Sequence, residues 1–146
     1  MKKNILIIFL LFVSLNVFSQ CDNSLIDRCR QKIGKATYIK HFKVRFEEGR
    51  KKKPQEKKYS ILLNKGNHYR FNIENDKSRA GKGVIKLWND YTFYGSSFDK
   101  DDGTTYEYFD FFCSKTGVYY VSLYFIDAKK GCAVAMVSLV GSYSMH

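Results

Sequence analysis

The chain has 146 residues, enough for one domain that buries about two-thirds of its unfolded surface, and it carries 25 Lys and Arg against 14 Asp and Glu, a formal net charge of +11. Its four cysteines include no Cys-x-x-Cys pair, which excludes the close-spaced zinc sites, and with 45% hydrophobic residues and a single proline the chain is neither disordered nor collagen-like.

Residues 1–19 read as an export leader. Lys2 and Lys3 form a basic start, Ile5 to Val13 an apolar run, and Val17-Phe18-Ser19 a cleavage site. The run is too short to span the ~30 Å of a bilayer, although an uncleaved anchor is the alternative reading. Cys21 invites lipidation, but Gln20 stands where a lipobox needs a small residue. Cleavage after Ser19 leaves 127 residues, 23 of them basic and 14 acidic, a net +9. No second apolar run of membrane-spanning length follows, so the expected product is a soluble domain over residues 20–146, secreted or periplasmic and monomeric.

Cys21 to Gly34 predicts a short helix with Ser24 as its N-cap, and Leu25, Ile26, Cys29 and Ile33 fall on one face. Thr37 to Glu47 alternates as a half-buried strand with Tyr38, Phe42, Val44 and Phe46 on one side. The basic run Arg50-Lys51-Lys52-Lys53-Pro54-Gln55-Glu56-Lys57-Lys58 follows as a loop. Strands are then expected at Tyr59–Leu63, around Tyr69–Ile73 after the Asn64–Asn67 turn, at Val84–Trp88 and at Thr92–Ser97. Asp99 to Gly103 is a turn. The strongest pattern is Phe109–Val140, three strands within Tyr106–Cys113, Val118–Asp127 and Cys132–Ser142. The last is apolar or small on both faces and is placed centrally, covered on both sides. About eight short strands and almost no helix predict an all-β fold, an antiparallel jelly-roll-like sandwich with one N-terminal helix.

An even cysteine count behind a leader predicts disulfides. A helix separates Cys21 from Cys29 by ~12 Å, and a strand separates Cys113 from Cys132 by ~30 Å. Each helix cysteine should therefore join a sheet cysteine, either as Cys21–Cys132 with Cys29–Cys113 or as Cys21–Cys113 with Cys29–Cys132.

Leu63-Asn64-Lys65-Gly66-Asn67-His68-Tyr69-Arg70-Phe71 resembles the L-x-x-G-x-x-Y-x-F strand–turn–strand of bacterial pre-peptidase C-terminal domains. Leu87-Trp88-Asn89-Asp90 is similar to their next strand, and Thr116-Gly117-Val118-Tyr119-Tyr120-Val121 to their closing G-x-Y-x-V element. GOLD-type domains look similar. The resemblance covers roughly residues 59–140 and implies a compact extracellular β-sandwich with a binding or adhesive role. Such domains are usually appended to secreted hydrolases; no catalytic domain is expected within these 146 residues, and a cysteine-bearing helix is added.

No catalytic constellation is legible. His41, His68 and His146 lie far apart without partner patterns, and no nucleophile elbow occurs. Asp99-x-Asp101-Asp102-Gly103 offers hard oxygens for calcium, yet its spacing is not an EF-hand's, so a polar turn is the simpler reading and no cofactor is expected. Two features suggest binding. Arg50, Lys51, Lys52, Lys53, Lys57 and Lys58 form a candidate docking patch for an anionic ligand; without interleaved aromatics it does not suggest specific nucleic acid. Trp88, Tyr94, Tyr106, Tyr108, Tyr120 and Tyr124 form a candidate aromatic contact strip, on which a sugar ring or a partner surface would stack. The expected function is a secreted non-catalytic module for polysaccharide or another anionic surface component. The alternative is a structural subunit that contacts an envelope protein through an edge strand.

Overall fold

The computed structural model describes residues 21–144; the expected leader, its cleavage site and His146 lie outside them. Among the described residues there is one α-helix, α1 (Ser24–Lys32), and eight strands: β1 (Thr37–Phe46), β2 (Glu56–Leu63), β3 (Asn67–Asn75), β4 (Gly83–Trp88), β5 (Phe93–Ser96), β6 (Tyr108–Phe112), β7 (Gly117–Phe125) and β8 (Gly131–Ser142). A 3₁₀ turn, Ile126–Ala128, joins the last two strands.

The strands form two four-stranded antiparallel sheets, ordered β1-β8-β3-β6 and β2-β7-β4-β5. The pairs β1–β8, β2–β7, β3–β6 and β4–β5 nest inside one another. That is an eight-stranded jelly roll, a long antiparallel ribbon folded over on itself. The fold class expected from the strand pattern is therefore observed.

The turn at Asn64–Gly66 does not make a hairpin. It carries the chain from the second sheet to the first, with Gly66 at φ +81° donating its N–H to Cys113 O at 2.9 Å. The Ser114–Thr116 turn crosses back in the same way. Consecutive strands pair as a hairpin at β4–β5 alone among the described residues, where Asn89 Oδ1 accepts from the backbone N–H groups of Tyr91 and Thr92.

Side-chain alternation sends one face of each strand into the space between the sheets. Phe42, Val44, Leu63, Phe71, Leu87, Val121, Leu123 and Val137 meet there with other apolar groups in one continuous core. β8 is central and buried on both sides from Gly131 to Ser138, as its two-faced apolar pattern predicts. Its inner residues Ala133, Ala135 and Val137 join the sandwich core, and its outer residues Cys132, Val134 and Met136 lie under Leu25, Cys29 and Ile33. Gly131 opens the strand where a Cβ would fall 2.5 Å from the Phe125 ring.

The helix is tied down three ways. Its apolar face is buried on β8, and Cys21 is bonded to Cys132 with Cα atoms 5.9 Å apart. The third tie is the carboxylate of Glu74, only 4% exposed, which takes Arg28 at 3.2 Å and Lys32 at 2.7 Å. The helix begins differently from expectation: Asn23 occupies the N-cap position, and Asp22 accepts from the Ser24 N–H and hydroxyl.

Two further expectations are corrected. The second disulfide is not formed: Cys29 and Cys113 are both free and buried. Cys29 sits beneath the helix on the outer side of the first sheet, whereas Cys113 belongs to the core between the sheets, so the sheet itself lies between them. Tyr38 does not join Phe42 in the core. A bulge between Tyr38 and Lys40 shifts the register and turns Tyr38 outward, where its hydroxyl lies 2.8 Å from His41 Nδ1.

Candidate functional site

Among the described residues no helix covers the outer face of the second sheet, and that face gathers most of the aromatic strip. On β7, odd residues Tyr119, Val121 and Leu123 enter the core, so Tyr120 and Tyr124 point outward. β4 places Trp88 across from Tyr120, and β2 places Glu56 across from Tyr124. Trp88 Nε1 donates to Ser122 Oγ at 2.8 Å, which ties the indole to β7. The Lys58 ammonium lies 4.4 Å from the Trp88 ring centre and 4.1 Å from that of Tyr120, a cation over two neighbouring rings whose centres are 5.0 Å apart. Two residues on, Lys86 reaches the Tyr124 ring at 5.1 Å and Glu56 at 2.8 Å. Burial and the Glu56 charge push the Tyr124 phenol above its ordinary range, so it stays a neutral donor at physiological pH.

Beside this row the β5–β6 connection folds over to make a trough. A hollow of about 540 Å³ is walled by Phe93, Phe98, Tyr106 and Tyr124, with Lys86, Lys100, Asp99 and Asp101 supplying polar groups. A second hollow of about 420 Å³ shares Lys86, Phe98, Lys100 and Tyr124 with the first and ends at Pro54 and Lys51. Phe93 is 63% exposed and Tyr106 49%, a strong presentation for rings this large.

The sequence-predicted residues divide accordingly. Trp88, Tyr120 and Tyr124 share the face, and Tyr106 reaches the trough from the loop. Tyr94 does not belong to the strip: its ring packs against Phe111 and Tyr119. Tyr108 is on the other sheet, under the Arg70 guanidinium at 4.2 Å. The basic run also divides. Arg50, Lys51, Lys52 and Lys53 stay in the exposed β1–β2 loop, while Lys57 and Lys58 belong to strand β2. Phe93, Phe98, Lys86 and Lys100 were missed, because nothing local shows that the Asp99–Gly103 turn folds toward Tyr124.

The Asp99–Gly103 acids spend oxygens on their own turn. Asp99 Oδ1 accepts from Asp101 N–H and Asp102 Oδ1 from Thr104 N–H, both at 2.8 Å, and the latter bond holds the Asp102 carboxyl below its ordinary range. No cluster of three or more His, Cys, Asp or Glu suited to a metal ion is found among the described residues. Asp110 is held by Arg70 through two bonds of 2.6 and 2.9 Å, with His68 at 3.4 Å, and this partner keeps its carboxyl depressed. Glu107 pairs with Lys32 of the helix. No helix among the described residues is long and apolar enough to cross a membrane.

Neither the protein-family models nor the curated proteins give a match. Among solved structures the fold is similar to that of PliG from Aeromonas hydrophila, a periplasmic inhibitor of g-type lysozyme. The two chains are 13% identical, with a TM-score of 0.50, and the match covers 72% of this chain and 88% of the other. At that identity the likeness concerns the fold alone.

Proposed function

We propose that this chain is an exported, non-catalytic binding module of the cell envelope that takes a glycan in the trough on its second sheet. The observation that carries the reading is that exposed rings, Phe93 and Tyr106, and the Tyr124 ring line one hollow together with the amines of Lys86 and Lys100 and the carboxylates of Asp99 and Asp101. Sugar rings have apolar faces that stack on aromatic side chains and hydroxyl edges that exchange hydrogen bonds with charged groups. Export is supported by the Cys21–Cys132 bond, which persists in oxidising compartments, and by the leader-like residues 1–19. The resemblance to pre-peptidase C-terminal domains points the same way. A glycan array tests the proposal: binding that Tyr124→Ala and Tyr106→Ala abolish supports it, and an array without signal ends it.

A protein partner is the second reading, favoured by Leu62 and Val118. They lie opposite each other across β2–β7 on the same outer face and are 64% and 55% exposed. PliG, whose fold is similar, inhibits a lysozyme, so inhibition of a g-type lysozyme is the direct assay. Loss of lysis inhibition in Leu62→Asp would move the function from glycan to protein.

A further inference from the structure

The trough is not uniform in charge, and this bears on the class of glycan it takes. In the section at Tyr106 the charges cancel: Lys86 and Lys100 face Asp99 and Asp101, and Lys86 is already bonded to Glu56 at 2.8 Å. An acidic sugar placed there would meet two carboxylates along with the one lysine, Lys100, that makes no ion pair among the described residues, and so would gain no net attraction. The far end is different. Lys51 walls the second hollow and belongs to the run Arg50–Lys53, four exposed cations that make no ion pair among the described residues. The neighbouring acids are engaged elsewhere: Glu47 with Arg45 and Lys130, Glu48 with Lys129, and Glu56 with Lys86. Asp127 also lines that hollow and reduces the excess without cancelling it.

We propose that the ligand is one glycan chain of two chemical parts: an uncharged sugar stacked between Tyr106 and Tyr124, and an acidic group, carboxylate or phosphate, seated at the Arg50–Lys53 turn. The inference rests on the glycan reading above and refines it. The turn attracts the acid over a distance of about 8 Å at physiological salt, and the rings then hold the neutral part by contact that salt does not screen. The four cations of the Arg50–Lys53 run thus act at one end of the site rather than along it.

Calorimetric titration of the whole exported chain separates the two parts, with galacturonic acid hexamer, its fully methyl-esterified form and N-acetylglucosamine hexamer as probes at 50 and 500 mM salt. The acidic hexamer should bind more tightly than its ester at low salt and about equally at high salt. The variant Arg50→Gln/Lys51→Gln/Lys52→Gln/Lys53→Gln should lose about tenfold for the acidic hexamer at low salt, lose the salt dependence, and leave the ester unchanged. Tyr124→Ala should weaken both by about tenfold while the salt dependence remains. Thermal unfolding verifies that each variant folds, and Tyr106→Ala serves as the second ring variant if Tyr124→Ala does not. Equal effects of the turn variant on acid and ester, or salt dependence that disappears with the ring variants, would overturn the division while leaving glycan binding intact. Failure of all three hexamers would remove the glycan reading itself and this inference with it.

Discussion

Asp110 illustrates how much one side chain contributes on the first sheet. It faces Arg70 directly across β3–β6, and the guanidinium grips both of its oxygens at 2.6 and 2.9 Å. The Arg70 hydrogen bonds hold its folded pKa below the ordinary 3.8. The carboxylate therefore stabilises the fold at all pH values above that range, and the contribution is lost as pH falls through the depressed folded value. Asp110→Asn should cost about 1 kcal/mol at pH 7 and progressively less below pH 3.8. Urea midpoints measured across pH 2–7 test this; a cost that stays constant with pH would exclude the ion pair as its source. The two free cysteines give a second prediction. Burial raises the Cys29 thiol to about 12, and both thiols are 0% exposed. Ellman's reagent should count no thiol in the native protein and two in denaturant; none in denaturant would mean that the second bridge exists. Single residues were the least legible part of the sequence. Alternation placed Phe42 and Val44 correctly but sent Tyr38 inward, because one bulge reverses parity without any local mark. It likewise could not tell that Cys29 and Cys113 approach the same sheet from opposite sides.

The helix α1 is an element whose attachment can be dissected. Its nine residues are too few to persist alone in water. Burial of Leu25, Cys29 and Ile33 on β8 holds it, together with Glu74 and the Cys21–Cys132 bond. That bond closes a loop of 111 residues, so its main effect is on the unfolded chain. Cys21→Ala/Cys132→Ala should lower stability by about 3–4 kcal/mol while the far-ultraviolet spectrum of the folded state stays unchanged, since the apolar seat and the ion pair remain. Loss of helical signal in the folded variant would show that the bond is what seats the helix. Elements were well marked in the sequence: the doubly apolar run at Cys132–Val137 announced a central strand, and Gly34, Gly66 and Gly103 marked turns. The corners were not. Asn64–Gly66 and Ser114–Thr116 look like hairpin turns, because the residues that favour a tight reversal also favour a step from one sheet to the other. The trough suffered for the same reason, since its walls come from β4, β5, β7 and two loops that only the crossing pattern brings together.

At the scale of the whole molecule, the jelly roll pairs the first strand with the last. β1 at residues 37–46 lies antiparallel to β8 at residues 131–142, and the ribbon can close there only after the chain between them has doubled back. Such non-local pairing makes folding slow, because loop entropy is lost before contacts compensate for it. The Cys21–Cys132 bond crosses this same seam, joining the segment just before β1 to the start of β8. An oxidised chain therefore begins refolding with its most distant partners already adjacent. If a third of the bond's roughly 4 kcal/mol is realised in the transition state, refolding with the bond intact should be about tenfold faster than for Cys21→Ala/Cys132→Ala. Trp88, the single tryptophan, packed under Lys58 and bonded to Ser122, reports the event in stopped-flow fluorescence. Equal refolding rates, with the whole difference in unfolding, would place closure of the β1–β8 seam after the barrier. The nucleus would then lie in the short-range end of the ribbon, at the β4–β5 hairpin and the strands next to it.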